Sequence, residues 1–498
     1  MLNRNINILD NEHGYKTSRN QMLFLVLSDL IIVSIVIALY FLMSKTEMRK
    51  TVVFLSGLIL LPIAILKPMN GFYLFLMVLP LLKANLHLTD SFDLSAVDLF
   101  VLLYGILFLL RFSLGWRPSI YKDKVISYSI IIYLSALIIG SVHNYYSIEV
   151  SDHAVIIYYV KNFIVYYALF YLTMFLVKTE EDLEKCYAMI AFSAILVGLL
   201  SFLQMQTLGK SFDLFDVVSG SQDSRLATES YGHSNILAQQ FVMTIPFLVY
   251  WVLSIKNYKI KTIGYIGSII CFIGLFLTFS RSAWLAAVFP IFIFAFLKKG
   301  TFVRFFIISG FMVFFLVLVT QWIFKVSFFD LIIQRFGELE SSNMSERPEI
   351  WSNTLMLIKK SPFFGNGLGN FSYSYWLYTD STYAREHAHN LFMTHTANTG
   401  LITLSMFIVI LSRIFYLLAN SLKKLEGSHI RYVYYALFSS YIGILMMFLV
   451  ENLFYSPLNT YLFFVILGLI LSFIRLNNER IQKTEESPSI PEISNSIE

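Results

Sequence analysis

The sequence predicts an all-α integral membrane protein of about 12–14 transmembrane helices, with one large extracytoplasmic helical loop between the eleventh and twelfth spans. Three observations carry this reading. The 498 residues are 57% hydrophobic and only 14% charged, whereas soluble domains carry about 25% charge. Apolar runs of about 16–25 residues recur from Met22 to Arg475, long enough to cross a hydrocarbon layer of about 30 Å as helices. One stretch, 324–394, interrupts that rhythm for about seventy residues. A soluble multidomain protein is excluded, because so few charges cannot solvate its faces.

The elements follow in chain order. Residues 1–21 are polar and precede a long run without a small-x-small cleavage site, so they read as a cytoplasmic N-terminus before an uncleaved span. A transmembrane bundle over 22–323 has candidate spans at 22–44, 51–66, 71–83, 97–114, 125–142, 154–177, 186–206, 235–254, 260–279, 283–297 and 303–323. The pair 51–66 and 71–83 is short and separated by Lys67-Pro68-Met69-Asn70, so one re-entrant or tilted element could replace it. Residues 324–394 form the cap loop, which contains helical periodicity over Glu349–Lys360. The C-terminal transmembrane helices occupy 395–475, at 395–420, 432–452 and 457–475. The tail 476–498 is rich in Glu, Ser, Pro and Asn and reads as disordered and cytoplasmic.

Charge orients the bundle. The net +5 from 37 basic and 32 acidic residues is small, but the lysine-rich turns 115–124, 178–185, 256–261, 298–304 and 423–431 alternate with loops that carry few cations. Basic residues collect on the cytoplasmic side, which places the N-terminus inside and the cap outside. Lys45, Arg49 and Lys50 are the exception on the outer side. Cys186 and Cys271 have no CxxC partner, so neither a disulfide framework nor a zinc site is implied. No basic patch points to nucleic acid, and no fixed-period repeat supports a transporter built from repeats.

Ionisable residues inside a membrane are costly, so each needs an explanation. Arg111, Arg413 and Arg475 lie near cytoplasmic ends and read as snorkelling anchors. Lys161 lies about two turns below the outer end of the sixth span, among Tyr158, Tyr159, Asn162, Tyr166 and Tyr167. A tyrosine hydroxyl or backbone carbonyl could satisfy it, or an anionic lipid phosphate. The hairpin from Phe276 to Trp284 sets Ser280 and Arg281 between two apolar runs, where a guanidinium needs an anion or headgroup contact.

In the cap, Pro348 suits the first turn of a helix that includes Arg347 and Trp351. Gly365, Gly367 and Gly369 then break it; with no preceding strand and no lysine-serine pair they form a tight turn at the membrane surface rather than a nucleotide loop. His387 and His389 stand two apart before Asn390, and three readings remain open: a general base near neutral pH, an ordinary loop histidine, or a metal pair, for which no third ligand is evident. The segment from Arg225 through His233 to Asn235 shares their side by topology, so three arginines and several histidines meet one membrane-water boundary.

Four ordered motifs carry a family resemblance. The hairpin Thr278-Phe279-Ser280-Arg281-Ser282-Ala283-Trp284, the helix start Arg347-Pro348-Glu349-Ile350-Trp351, the turn from Pro362 to Phe371, and the run His387-Ala388-His389-Asn390 together resemble the O-antigen ligase and O-antigen polymerase family over roughly 225–400. The resemblance implies a metal-independent, cofactor-free glycosyltransferase of the bacterial cytoplasmic membrane, its active site facing outward. Its donor would be a polyprenyl-pyrophosphate-linked oligosaccharide, and its partners a sugar acceptor, the lipid bilayer, a flippase and a chain-length regulator. By the same resemblance His389 is the catalytic base and Arg281, Arg347 and Arg225 contact pyrophosphate. His387, Asn390, Lys161, Ser280 and Asn235 are supporting residues. Two positions depart from the family: Asn398 stands where a glutamate is common, and His395 where a glutamine is.

Polymerisation of repeat units is preferred over ligation to another surface acceptor, because the Ile-, Phe-, Tyr- and Asn-rich composition suggests an AT-rich bacterial gene, and many such bacteria lack an outer-membrane acceptor. A lipid-linked-oligosaccharide flippase or transporter is the competing class. It would need charged or broken-helix sites at mid-membrane, and the spans are nearly uncharged apart from Lys161.

Overall fold

The computed structural model describes residues 67–82, 85–89, 92–115, 120–147, 153–207, 233–288, 346–379, 384–423, 425 and 428–486. The expected spans 22–44, 51–66 and 303–323 lie outside these residues. The chain divides into two compact units, Met1–Leu74 and Phe75–Glu498. Of the first, only the start of the apolar helix α1 (Pro68–Val78) is described; every other described element belongs to the second.

The described residues form an all-α membrane protein with one small addition. A short antiparallel hairpin, β1 (Asn85–Thr89) and β2 (Phe92–Ser95), precedes α2 (Ala96–Ser113). Then come α3 (Lys124–Ser147), α4 (His153–Leu176), α5 (Glu180–Thr207), α6 (Ser234–Ser254) and α7 (Tyr258–Leu277). The helix α8 is described over 281–288. The cap contributes α9 (Glu346–Lys360) and α10 (Phe371–Tyr378), and the chain returns through α11 (Leu391–Leu422), α12 (Ser428–Phe448) and α13 (Pro457–Glu486). Among the described residues nine helices, α2–α7 and α11–α13, are long and apolar enough to cross a membrane. In hydrocarbon a helix satisfies its own backbone, so each uninterrupted apolar run takes that form.

Local signals set the helix starts. Ser95 and Asp98 form a reciprocal capping box at α2, Asn257 caps α7, and Asn390 caps α11. Helix α13 lies along α4, α11 along α3, and α12 and α5 along α6. Burial separates a central helix from a peripheral one: 94% of the apolar window of α13 is buried, against 17% for α2. On α2 the large side chains Leu102, Leu109 and Leu110 are exposed, which in a bilayer is lipid contact. Close approach between helices relies on small residues; a Cβ at Gly267 of α7 would collide with Ile195 of α5.

Two expectations about residues near helix ends change. Residues 476–486, assigned by composition to the solvated tail, continue α13 to Glu486; helix formers and the i,i+4 pair Arg475–Glu479 extend it beyond the apolar segment. Arg475 is itself buried and donates to the carbonyl of Val177 at 2.6 Å, and Arg413 donates to Asp123 at 2.9 Å. These arginines are tied to protein acceptors.

Candidate functional site

The cap packs around a core of Ile350, Leu357, Phe371, Tyr375, Ala388 and Ala397, flanked by Trp351, Ile358, Tyr378 and Met393. Its glycine turn docks on a break in α11. Gly400 has φ +86° within that helix, a conformation in the left-handed half of the map that favours glycine. The carbonyls freed by the break are taken up by the turn: Asn366 N donates to Ala397 O at 2.8 Å, and Gly367 N to Asn398 O at 3.1 Å. Leu401 N in return donates to Pro362 O at 2.7 Å. A Cβ at Gly365 would collide with Asn398 and Thr399, and one at Gly400 with Phe363. The glycine turn expected at the membrane surface thus braces a broken membrane helix.

Residues 384–390 join the cap to α11, and two bonds pin their centre. Trp351 Nε1 donates to Ala388 O at 2.9 Å, while Ala388 N donates to Thr394 Oγ1 at 3.0 Å. With Ala388 fully buried, the residues on either side project the other way, and the His387 and His389 rings lie 4.4 Å apart. His389 has φ +48°, a left-handed conformation costing about 1–2 kcal/mol in a residue with a Cβ. Asn390 then opens α11: its Oδ1 accepts from Met393 N at 3.0 Å, and its Nδ2 donates to Leu449 O at 3.1 Å.

That last bond reaches the segment after α12, which carries a residue the sequence reading missed. Glu451 is 5% exposed and gathers donors from three parts of the chain. Its Oε1 accepts from His387 Nε2 at 2.7 Å and from Asn452 N at 3.1 Å; its Oε2 accepts from Asn235 Nδ2 at 2.9 Å. His389 Nδ1 stands 3.4 Å from Oε1, close enough for an ion pair and too long for a well-formed hydrogen bond. Asn235 is held in turn at the start of α6, where its N donates to His233 Nδ1. Burial by itself would raise the Glu451 carboxyl, but the hydrogen bond from His387 and the nearby His389 ring hold it well below the usual carboxylate range. Glu451 is therefore a carboxylate at neutral pH.

This cluster gathers His387, His389, Asn390 and Asn235 from the predicted set. Ser280 is buried in the turn between α7 and α8, its Oγ 3.3 Å from that of Ser282. Phe279 takes φ +50° there, and Trp284 stacks on Phe276 while its Nε1 donates to Leu275 O. Arg281 is the first residue of α8 and Arg347 lies in the first turn of α9, both half-buried. Arg225 lies outside the described residues. Lys161 is paired with Asp98 at 2.6 Å and lies over the ring of Tyr158, so a protein carboxylate is among its partners. His395 is a core histidine: its Nε2 lies 3.2 Å from the Tyr133 hydroxyl, among Phe163, Phe407 and Phe454.

Chemically, a histidine backed by a buried carboxylate is the arrangement of a general base with its orienting group. His387, His389 and Glu451 also offer two nitrogens and an oxygen all within 4.8 Å of one another, a spread that a divalent cation could draw together. The third such group was not evident in sequence because it lies 62 residues beyond His389. Its only local signal is an acid at the very end of the expected span 432–452, in Val450-Glu451-Asn452. A separate cleft of about 560 Å³, lined by Lys178, Glu180, Glu479, Arg480 and Lys483, contains none of the predicted site residues.

Residues 266–408 match the O-antigen ligase family model. The match is consistent with the O-antigen ligase and polymerase group and supports glycan transfer of the O-antigen ligase type by a multi-pass membrane protein. It spans the hairpin, the cap and the break in α11, and contains Arg281, Arg347, His387 and His389; Asn235 and Glu451 fall outside it. No curated protein matches the chain.

Proposed function

We propose that this protein polymerises polyprenyl-pyrophosphate-linked oligosaccharide repeat units into a surface polysaccharide, on the outer face of the bacterial cytoplasmic membrane. The observation that carries the reading is His389, held beside the buried carboxylate Glu451 within the stretch that matches the O-antigen ligase family. A hydroxyl of the acceptor sugar attacks the anomeric carbon of the donor. The bond from that carbon to the bridging pyrophosphate oxygen breaks, and the hydroxyl proton passes to His389. The leaving pyrophosphate is a stable anion, so no general acid is needed.

What requires stabilisation is charge developing on the bridging oxygen. Arg281, Arg347 and Arg225 serve as the pyrophosphate contacts, because a guanidinium keeps its charge in any surroundings and matches phosphate geometry. Arg281 is at the start of a helix, where the positive end of the helix dipole favours anions as well. One oriented donor of this kind contributes about 3–4 kcal/mol to the transition state.

Ligation to another surface glycolipid is the second reading, favoured by the family model that matches. Purified protein in lipid nanodiscs, supplied with lipid-linked repeat units alone, should lengthen them into a ladder. Transfer only when a core glycolipid acceptor is added would replace the polymerase by a ligase. Failure to transfer at all, with the units crossing a vesicle membrane instead, would favour the flippase class.

A further inference from the structure

We infer that Glu451 is the positioning residue of this transfer reaction: it sets the protonation of both imidazoles so that Nε2 of His389 is the lone pair offered to the acceptor hydroxyl. The inference rests on His389 being the base, and it adds a residue outside the matched stretch.

Two donors other than the histidines orient the carboxylate. Asn235 Nδ2, fixed at the first turn of α6, holds Oε2, and the backbone N of Asn452 holds Oε1 from its own side. Oε1 is left facing the imidazoles. His387 Nε2 lies 2.7 Å from it, and a carboxylate can only accept, so the proton of that ring is on Nε2. The lone pair of His387 is then on Nδ1, a buried atom, and with its side chain only 10% exposed that nitrogen does not face an acceptor.

His389 is oriented the other way round. Its Nδ1 is buried, makes no hydrogen bond among the described residues and faces the same oxygen at 3.4 Å. A lone pair on Nδ1 would be repelled by Oε1, whereas an N–H there is attracted. The side chain is nevertheless 35% exposed, so its exposure falls on the rest of the ring, where Nε2 lies. A small ring rotation shortens 3.4 Å to a hydrogen bond, as catalytic contacts do when substrate closes the site. The left-handed backbone at His389 is what turns this edge toward Glu451.

When Nε2 takes the acceptor proton the ring becomes an imidazolium, and the carboxylate counters its charge; no proton passes to Glu451. The proton then leaves from Nε2 to water, restoring the neutral ring. Glu451 thus acts through His389 and touches neither donor nor acceptor.

The test is Glu451→Gln in nanodiscs with lipid-linked repeat units. A Gln amide keeps the shape but can donate as well as accept, so the His389 tautomer is no longer enforced. Transfer should lose about a hundredfold or more in kcat, by analogy with the loss seen when an orienting carboxylate becomes an amide, with KM for the donor changed by less than about twofold. Glu451→Asp should recover part of the rate. Nitrogen-15 NMR of histidine-labelled protein should show the Nδ1–H tautomer at His389 in the wild type and a shift toward Nε2–H in Glu451→Gln. If Glu451→Gln turns over at the wild-type kcat while His389→Ala is inactive, Glu451 has no positioning role and the base assignment stands. If His389→Ala itself keeps full activity, the base assignment falls. Should Glu451→Gln fail to fold, the wild-type spectrum decides: an Nε2–H tautomer at His389 overturns the inference.

Discussion

Two buried carboxylates in this bundle meet nitrogen partners in different ways. Asp98, 4% exposed, serves the capping box of α2 and pairs with the Lys161 ammonium at 2.6 Å. Glu451, 5% exposed, meets two imidazoles, an amide and a backbone N–H. The lysine pair joins opposite charges inside apolar surroundings, and its natural role is to fasten α2 to α4. An imidazole has two ring nitrogens, so in the proposed reaction Glu451 can hold the His389 ring by one nitrogen while the other does the chemistry. A buried carboxylate thus marks structure or reaction according to the partner it is given.

The largest effect that separates the two regions is on rate. His389→Ala should lower transfer by about 10²–10⁴ with little change in melting temperature, whereas Lys161→Ala should lower the melting temperature more than the rate; both are read on the same purified protein. Equal loss of rate in the two variants would erase the distinction.

Next in size is the cost of breaking the structural pair. Asp98→Ala leaves Lys161 without its carboxylate and should destabilise the protein by about 3 kcal/mol, seen as a lower thermal midpoint in detergent. Combining Asp98→Leu with Lys161→Met should restore most of it.

A smaller effect tests the brace beneath the reactive region. Gly400→Ala forces a Cβ into the left-handed break of α11 and against Phe363; the strain should cost about 1–3 kcal/mol and disturb transfer, since Asn390 and His389 ride on that end of the helix. Acid should then dissolve the imidazole cluster selectively. The Glu451 carboxyl lies below its ordinary value of 4.5 in the folded protein, so its contribution to stability is complete above that value and is lost as pH falls through the folded one. Wild type should therefore converge with Glu451→Gln in melting temperature as the pH is lowered below about 4.5. The smallest expected effect is that of a chelator: EDTA should leave transfer unchanged, and a loss restored by zinc would turn the cluster into a metal centre.

The sequence alone determined the helices, because apolar runs of spanning length have only one way to satisfy their backbone in hydrocarbon. It also singled out His387, His389, Asn390 and Asn235, since polar residues are rare enough in such a chain to stand out. It did not reveal the hairpin before α2, whose two strands are shorter than any periodic signal, nor the extra turns of α13 past Leu476, where polar composition resembled a solvated tail. Asp98 was concealed by its capping role, and Glu451 by its distance from the histidines along the chain. Only the tertiary structure decided that Lys161 has a carboxylate of its own and that Glu451 belongs to His387, His389 and Asn235. Composition can report that a charge is present; which partner satisfies it depends on segments brought together from 63 to 216 residues apart, and in a low-dielectric interior that pairing determines what the charge can do.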